Sequence, residues 1–283
     1  MRLKTRLHVL RLGLMTVLGL GRRGFFIPYR YAPTVPPPGR RPAYGWLEEF
    51  FAGQAANVRA HLAAMEELAG DLGAIGAAAK APEPRWNQTW FPRLDAAAAY
   101  AMVRTRRPAR LVEIGSGHST RFYARAVRDG GLDTRITAID PMPRADISAL
   151  GVDTLRMVVQ QAGAAPFHDL APGDVLSIDS SHILMPGTDV DFLQNVILPT
   201  LPAGVLVHIH DTFLPDDYPA GWGWRGYNEQ QGVAALLQGG GYDLLWSSRY
   251  AVTRLAGDLA AGPIAALPHF EAAPESSLWL EKR

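Results

Sequence analysis

The sequence predicts a doubly wound α/β fold, in which helices cover both faces of a mostly parallel sheet. Two observations carry this prediction: apolar runs of strand length alternate with helical segments, and each run is almost continuously apolar. Strands of a parallel sheet are buried on both faces, so their sequences read as continuous apolar runs rather than as alternating patterns. The predicted strands span residues 109–114, 134–140, 154–159, 174–179 and 204–210.

The segments around these strands are predicted to be helical. Residues 119–129 open with a serine and a threonine suited to capping a helix, and residues 189–201 have helical character. Upstream, apolar residues three and four positions apart predict a helix over 58–75. An alanine-rich helix is predicted from Asp95, as its N-cap, to Arg106.

Three regions are predicted along the chain. Residues 1–42 form a basic N-terminal helix with a proline-rich connector, residues 43–95 a helical cap with an aromatic loop, and residues 96–283 the α/β domain. In the first region an apolar stripe recurs at helical spacing, and arginines flank it. That stripe comprises Leu3, Leu7, Leu10, Leu14, Val17 and Leu18.

Charge is distributed unevenly between the first region and the rest. Nine basic and no acidic residues precede Glu48, which leaves 19 basic and 27 acidic residues, a net charge of −8, for the remainder. This acidic body disfavours nucleic acid as a substrate. The apolar run 12–20 is too short to span a bilayer, and no signal-peptide cleavage pattern follows it. We expect the N-terminal helix to dock on the body of the protein or on a partner subunit, and an interfacial membrane helix is the alternative. The protein is expected to be cytoplasmic, with peripheral membrane contact or an oligomer contact through residues 1–30.

The absence of cysteine narrows the chemistry further. It excludes disulfides, thiolate zinc sites, iron–sulfur clusters and cysteine nucleophiles. It also fits a reducing compartment.

A glycine turn and an acid at the ends of the first two strands indicate a nucleoside-bearing cofactor. In doubly wound folds, ligands bind at the carboxyl ends of the strands. "EIGSGHST" places Gly115 and Gly117 in a tight turn, and Asp140 ends the second strand, where an acid accepts hydrogen bonds from ribose hydroxyls. Thr120 stands where the dinucleotide fingerprint has its third glycine, which counts against NAD and FAD.

Polar clusters also end the fourth and fifth strands, in "IDSSH" and "HIHD". In a strand, His208 and His210 point to one face and Asp211 to the other. His208 lies deeper and is predicted to be a core histidine that is hydrogen-bonded beneath a covering helix. His210 and Asp211 are predicted to reach the rim of the sheet, near Asp179 and His182.

The chain resembles the class I S-adenosylmethionine-dependent methyltransferases, and more narrowly their bacterial Methyltransf_24-type branch. The likeness covers roughly residues 81–250 and rests on "LVEIGSGHSTRF", "ITAIDPMPR", "DVLSIDSSH" and "GVLVHIHDTFLP" in that order. It implies a Rossmann-like sheet of seven strands, the last one antiparallel, with "YDLLWSSRYAV" and "SLWLEK" as the sixth and seventh strands. It also implies methyl transfer from S-adenosylmethionine to an oxygen or nitrogen of a small-molecule acceptor.

The resemblance also assigns residues to the cofactor. The glycine motif after the first strand matches the segment that cradles the methionine part. Asp140 matches the acid that binds the ribose, and Asp179 matches the acid beside the sulfonium and the acceptor. The predicted cofactor-binding residues are Glu113, Gly115, Ser116, Gly117, Ser119, Asp140 and Asp179.

The acceptor end of the site carries the predicted catalytic residues Asp179, His182, His210 and Asp211. A hydroxyl or ammonium acceptor must lose a proton, and the two histidines are candidate bases because their ordinary pKa lies near working pH. Magnesium is the alternative. Catechol O-methyltransferase and its relatives hold this ion with acids at the ends of strands four and five plus an asparagine. Asp179 and Asp211 match the acids, whereas Thr212 stands at the place of the asparagine.

Two other functions fit parts of the sequence. The H-x-H-D pattern resembles part of a dinuclear zinc motif, which would make the protein a metal-dependent hydrolase, although only His269 follows it. A non-catalytic scaffold that keeps the cofactor fold is the second alternative.

Asn228 and Glu229 are predicted to form a capping box or a surface network. Candidates for an aromatic acceptor pocket are Trp86, Trp90, Phe91, Trp222, Trp224 and Tyr227.

Overall fold

A seven-stranded sheet forms the core of the computed structural model, which describes residues 3–270 and 273–283. Its strands are β1 (Arg110–Ile114), β2 (Arg135–Ile139), β3 (Asp153–Leu155), β4 (Val175–Ile178), β5 (Leu206–Ile209), β6 (Tyr242–Ser247) and β7 (Leu278–Lys282). The order across the sheet is β3-β2-β1-β4-β5-β7-β6, and β7 runs antiparallel to both of its neighbours. The predicted Rossmann-like, mostly parallel sheet of seven strands is confirmed.

Helices connect the strands and flank the sheet. They are α1 (Leu3–Val17), α2 (Gly45–Gly53), α3 (Ala55–Glu67), α4 (Ala69–Gly73), α5 (Arg93–Arg106), α6 (His118–Asp129), α7 (Val159–Ala162), α8 (Asp189–Phe192), α9 (Glu229–Gln238), α10 (Ser248–Arg254) and α11 (Ala256–Ala261). Helix α5 packs against both α3 and α6. Its alanine-rich run is buried throughout, because small side chains allow close approach on several sides. No helix in residues 3–270 and 273–283 is long and apolar enough to cross a membrane.

Complete burial explains the apolar runs of the central strands. Every residue of β4 and β5 is buried, and so is β1 after its first residue. Three polar side chains nevertheless occur there: Glu113, Ser177 and His208. A buried polar group costs free energy unless it is hydrogen-bonded, so each of these three needs a partner from another element.

Three predicted elements differ from the structure. The predicted sixth strand, "YDLLWSSRYAV", is a strand only as far as Ser247, because α10 begins at Ser248. Strand β3 ends at Leu155, so the predicted strand over 154–159 is wrong beyond that residue; Met157 N donates to the Leu155 carbonyl and α7 begins at Val159. The predicted helix over 189–201 exists as α8 followed by a π-helical turn and a 3-10 turn. Pro199 has no backbone N–H for a helical hydrogen bond, which prevents a regular α-helix at the carboxyl end of this segment.

Asp95 is not the N-cap of its helix, and that prediction is wrong. Helix α5 begins at Arg93, after Pro92, and Asp95 lies fully buried in its first turn. The Asp95 carboxylate accepts hydrogen bonds from the backbone N–H groups of Ser276 and Ser277 (3.0 and 2.9 Å to Oδ1). The side chain therefore fastens the segment before β7 instead of capping its own helix.

The chain divides into two compact units. One comprises residues 43–216 and 228–283 and contains the sheet; the other comprises the segment up to Pro42 together with 217–227. In the second unit, Asp217 holds the proline-rich connector through the Gly39 N–H (2.7 Å) and Arg41 (2.6 Å). The three regions expected along the chain, 1–42, 43–95 and 96–283, stay a prediction.

Candidate active site

Two buried histidines lie at the carboxyl ends of β4 and β5. The parallel register pairs Ile178 with Ile209, so the next residues, Asp179 and His210, leave the sheet side by side. The His210 N–H donates to the Ile178 carbonyl (2.9 Å), which extends the ladder by one bond. The turn after β4 then brings His182 back to the same place. The structure thus brings the predicted catalytic residues together.

His182 lies between carboxyl groups on both ring nitrogens. Its Nδ1 is 2.8 Å from Glu229 Oε2, and its Nε2 is 3.2 Å from Asp179 Oδ1 and 3.4 Å from Asp211 Oδ2. The Ser180 hydroxyl also donates to Glu229 Oε2 (2.9 Å). Glu229 therefore fixes the ring so that its other nitrogen faces the pair Asp179 and Asp211.

His210 repeats this arrangement from the neighbouring strand. Its Nε2 is 3.2 Å from Asp95 Oδ2, and its Nδ1 is 3.6 Å from both Asp179 Oδ1 and Asp211 Oδ1. The contacts of Nδ1 are ion-pair contacts that fall short of hydrogen-bond distance. Catalytic hydrogen bonds are often long in the absence of ligands and shorten when substrate binds.

The carboxyl groups favour the protonated form of both imidazole rings. Burial lowers the pKa of His182, but its bonds to Asp179 and Glu229 and the charge of Asp211 outweigh burial and hold the pKa well above its usual value. Burial also lowers the pKa of His210, and the charge of Asp211 with the contacts to Asp179 and Asp95 raises it well above normal. Burial raises the pKa of Asp179, yet its contact with His182 and the charges of His182 and His210 hold that pKa well below its usual value.

Backbone strain also concentrates at this cluster. Three non-glycine residues in the described part of the chain have positive φ, and two of them are His182 (φ 59°) and Asp211 (φ 53°). Left-handed backbone is uncommon for residues with a side chain and occurs most often where function over-determines the conformation. The strain places both side chains where the regular strand and turn geometry would not.

A cavity of about 570 Å³ opens beside the cluster, at the carboxyl ends of β1, β2 and β4. Asp179 lines it and keeps 31% of its side chain exposed, whereas the other carboxyl groups of the cluster are largely covered. Its volume lies in the range of pockets for small molecules and cofactors. The other lining residues include Gly115, Ser116, Asp140, Met142, Arg144, Val158, Gln160 and Ser181.

The predicted cofactor residues divide between the cavity and the structure beneath it. Gly115, Ser116, Asp140 and Asp179 line the cavity, and Glu113, Gly117 and Ser119 do not. Glu113 accepts hydrogen bonds from the hydroxyls of Ser119 and Thr120, and burial raises its pKa to about 8. Its carboxyl group therefore acts on the first turn of α6.

Gly115 is required by the backbone of a neighbouring strand. Its φ is +75°, and a Cβ added there would lie 2.1 Å from the Asp179 carbonyl oxygen. Only glycine tolerates both the positive φ and this close approach. The turn after β1 therefore packs directly against the end of β4, and this contact places Gly115 next to Asp179 in the cavity wall.

Asp140 is fixed at the cavity wall by the turn after β1. Its Oδ2 accepts from the Ser116 N–H (2.6 Å) and hydroxyl (3.2 Å), and its Oδ1 accepts from the Met142 N–H (2.7 Å). A carboxylate oxygen can accept two hydrogen bonds, so Oδ1 retains capacity for a ligand hydroxyl. This is the chemistry expected of an acid that binds a ribose.

The cluster does not fit the metal sites considered from the sequence. The His182 ring is bonded to both Asp179 and Asp211, and Thr212 contributes no oxygen toward them: its hydroxyl faces the His210 carbonyl. No three His, Asp or Glu side chains in residues 3–270 and 273–283 are arranged to hold a metal ion. Magnesium binds at two acids only with further oxygen ligands.

A zinc hydrolase site would need His208 to join His210 and Asp211, and the structure assigns His208 elsewhere. Its Nδ1 is 2.9 Å from the Ser177 hydroxyl and 3.2 Å from Tyr123 Oη on α6, and its Nε2 is 2.9 Å from the Ser277 hydroxyl. His208 is a core histidine beneath a covering helix, as predicted.

Two residues of the cluster were not predicted as site residues. Asp95 was assigned to a helix cap, and Glu229 to a capping box or surface network. Both are buried and each holds one histidine. Of the aromatic candidates, Trp86 and Phe91 belong to the core, where Phe91 packs against His210 (ring centroids 5.3 Å apart), and Trp90 is half exposed.

The family described as "Methyltransferase domain" (Methyltransf_24) matches residues 112–212. Among curated proteins, none matches the sequence. The chain is similar to the Podospora anserina methyltransferase PaMTH1, solved with S-adenosylhomocysteine (15% identity, TM-score 0.41, 92% of this chain and 99% of that one). It is also similar to the O-methyltransferase TomG of Streptomyces achromogenes, involved in tomaymycin synthesis and solved with S-adenosylmethionine (17% identity, TM-score 0.38, 84% and 96%).

A further similar structure is MycE of mycinamycin biosynthesis, solved with Mg, S-adenosylhomocysteine and mycinamycin VI (17% identity, TM-score 0.42, 77% of this chain and 54% of that one). The family match covers β1 to β5 and the strand ends that form the cavity and the histidine cluster. Residues 112–212 therefore match the Methyltransf_24 model of a methyltransferase domain, within a chain whose sheet is Rossmann-like.

Proposed function

We propose that the protein transfers a methyl group from S-adenosylmethionine to an oxygen or nitrogen atom of a small molecule. The observation that carries the proposal is the position of Asp179: it lines the cavity and also belongs to the histidine cluster. A cofactor in the cavity and an acceptor at the cluster would therefore meet at this one carboxylate. S-adenosylmethionine, when bound, supplies a methyl group that its sulfonium already activates.

On the cofactor side, the chain contributes a rigid cradle. The turn at Gly115 and Ser116 lies against the end of β4, and Asp140 keeps a free acceptor position on Oδ1 for a ribose hydroxyl. Glu113, Gly117 and Ser119 would support this cradle by ordering the first turn of α6. Orientation of the reacting groups is the main requirement here, because holding them in line replaces a bimolecular encounter.

On the acceptor side, the buried carboxyl groups create a negative site. Positive charge moves toward the acceptor atom as it takes the methyl group, and a fixed carboxylate nearby stabilises that charge. Asp179 is the member of the cluster that lines the cavity, so we assign it as the group that takes the proton from the methyl acceptor. Asp211 contacts the same two histidines as Asp179 and would stabilise the same positive charge on the acceptor.

His182 and His210 are assigned as positioning residues. The carboxyl groups raise the pKa values of both rings and so favour their protonated forms. A protonated ring cannot accept a second proton, so we assign the Asp179 carboxylate as the first proton acceptor. Its lowered pKa makes it a weak base, which suffices for an acceptor proton that becomes acidic as the acceptor atom gains the methyl group. The histidines instead fix the Asp179 and Asp211 carboxylates through one ring nitrogen each, while Glu229 and Asp95 hold the other nitrogen.

A small molecule is the acceptor class that these features favour. The cavity has the volume of a small-molecule site, and the acidic body disfavours a nucleic acid. A magnesium ion is not part of the proposal, because His182 lies between the two acids that would hold it. A cytoplasmic location stays a prediction from the absence of cysteine.

Calorimetric titration with S-adenosylmethionine tests the proposal. We expect the full chain to bind it, and Asp140→Asn to weaken binding at least about tenfold, as expected for loss of a charge-assisted hydrogen bond. Asp153→Asn is the matched control: it removes an exposed acid of β3 that pairs with Arg135, and it should leave binding unchanged. If the unaltered chain releases no binding heat at millimolar cofactor, the proposal is wrong.

A further inference from the structure

The segment that precedes Pro36 exposes an unusual amount of apolar surface. Helix α1 has no buried residue, although its sequence carries an apolar stripe. Leu3, Leu7, Leu10, Leu14, Val17 and Leu18 are each between 50% and 72% exposed. Monomeric proteins rarely leave a contiguous apolar patch of this kind to water, and such patches mark interaction surfaces.

The stripe has the geometry of a helix that lies on a surface. At 3.6 residues per turn its six side chains fall within an arc of about 100°. Arg6 borders this arc on one side, and Lys4 and Arg11 border it on the other. A helix of this length is marginal in water without packing, so the apolar face needs something to cover it.

The residues after the helix continue the same pattern. Phe26, Ile27, Tyr29 and Tyr31 are each more than half exposed. Arginines stack on the aromatic rings of this stretch: the Arg22 guanidinium lies 5.1 Å from the Phe25 ring centroid, and that of Arg30 lies 5.6 Å from the Tyr31 ring centroid. Aromatic rings combined with arginine are typical of the boundary between headgroups and acyl chains of a bilayer.

We propose that residues 3–31 bind the surface of a membrane that contains anionic lipid. The stripe and the aromatic rings would enter the boundary of the acyl chains, and the basic side chains would contact lipid phosphates. Charge complementarity favours lipid over a second copy of the chain. Nine basic and no acidic residues precede Glu48, so two copies of this segment would repel each other, whereas an anionic surface attracts both.

The basic side chains are available for this role. Lys4, Arg6, Arg11, Arg22 and Arg23 form no ion pair with any other residue that the structure describes. Arg41, by contrast, is paired with Asp217 and lies outside the proposed segment. A helix that lies in the plane of the surface needs no membrane-spanning length, in agreement with the short apolar run.

Vesicle flotation of the full chain tests the proposal. We expect binding to vesicles that contain about one third phosphatidylglycerol, and at least about tenfold weaker binding to vesicles of phosphatidylcholine alone. The double variant Leu7→Ser with Leu14→Ser should lose at least about tenfold in binding to the anionic vesicles. Arg6→Gln with Arg11→Gln should reduce it by about tenfold, and high salt should reproduce that loss.

Leu12→Ser is the matched control for the apolar variants. Leu12 belongs to the same helix but lies opposite the stripe and is partly buried, so this variant should bind anionic vesicles within about twofold of the unaltered chain. Equal binding of Leu12→Ser and the stripe variants, equal binding to both vesicle types, or no binding at all would overturn the proposal. A concentration-dependent dimer that Leu7→Ser with Leu14→Ser dissociates, without vesicle binding, would assign the stripe to a second copy and would also overturn it.

Discussion

His208 and His210 are two residues apart on β5 and its end, on the same side of the strand, and the protein gives them opposite properties. His208 contacts the hydroxyl groups of Ser177, Tyr123 and Ser277 and stacks on Trp279 (ring centroids 4.6 Å apart). Burial lowers its pKa to about 3. His210 contacts carboxyl groups, and its pKa is raised well above normal. The neutral form is therefore favoured for His208 and the charged form for His210.

The comparison shows that burial alone does not decide the charge of a histidine. Both rings are almost fully buried, with 1% and 4% of their surface exposed. Burial disfavours the charged ring in each case, and only the carboxyl groups beside His210 outweigh it. Two positions further along the strand, a buried histidine therefore belongs to the candidate active site and not to the core.

The largest expected effect comes from removing the carboxylate that holds His210. Asp95→Ala should lower the free energy of unfolding by about 3–5 kcal/mol, because it leaves a buried charge and two backbone N–H groups without their partner. Urea unfolding measures the change. Asp153→Ala, which removes an exposed ion pair, is the control and should cost less than about 1 kcal/mol. Equal losses for both variants would contradict the assigned role of Asp95.

Truncating the two histidines separates their roles. His208→Ala should lower the free energy of unfolding by about 2–4 kcal/mol, because it leaves a cavity and unpaired hydroxyl groups. It should leave binding of S-adenosylmethionine unchanged. His210→Ala and Asp211→Ala should impair turnover while sparing cofactor binding. A His208→Ala protein that is fully stable but inactive would show that the division of roles is wrong.

The pH dependence of stability gives a third comparison. The pKa of His208 is about 3 when folded and near 6.5 when unfolded, so the unfolded chain takes up the proton first as the pH falls. Its stabilising contribution is present above pH 6.5 and is lost below it, by about 2 kcal/mol at pH 5. His208→Gln should therefore lose about 2 kcal/mol less than the unaltered chain between pH 7.5 and 5. Parallel losses would contradict a neutral His208.

The smallest effects are expected at two adjacent serines that serve the two regions. The Ser277 hydroxyl bonds the His208 ring, and the Ser276 hydroxyl donates to Asp211 Oδ1 (3.2 Å). Ser277→Ala leaves a buried ring nitrogen unpaired and should cost about 1–3 kcal/mol in unfolding free energy. Ser276→Ala should cost about 1 kcal/mol, because the Asp211 carboxylate retains its contacts with His182 and His210. The reverse order would indicate that the partners were assigned wrongly.

The fold and the strand-end residues were predictable because their signals are local. Apolar runs identify buried parallel strands, and the residues that follow them must meet at one edge of the sheet. This reasoning predicted four residues that lie together in the structure: Asp179, His182, His210 and Asp211. It also predicted Gly115 and Asp140, which line the cavity. Their roles in catalysis stay predictions.

The supporting acids were not predictable because their partners are distant in sequence. Asp95 stands at the start of a helix and Glu229 at the start of another, and a local cap explained each equally well. Only the fold shows that both side chains are buried and turned toward histidines from β4 and β5. For the same reason, the raised pKa values of His182 and His210 could not be deduced from the motif alone. Their role as bases stays a prediction from the sequence.

The most direct test of this account is the charge of each histidine, measured by nitrogen-15 NMR of the imidazole rings as the pH is varied. His208→Gln and His210→Gln assign the signals. We expect His210 to be protonated at neutral pH and His208 to remain neutral until far below the ordinary pKa of about 6.5. If both rings titrate together near that value, or if His210 is neutral at pH 7, the proposed carboxyl–imidazole cluster is contradicted.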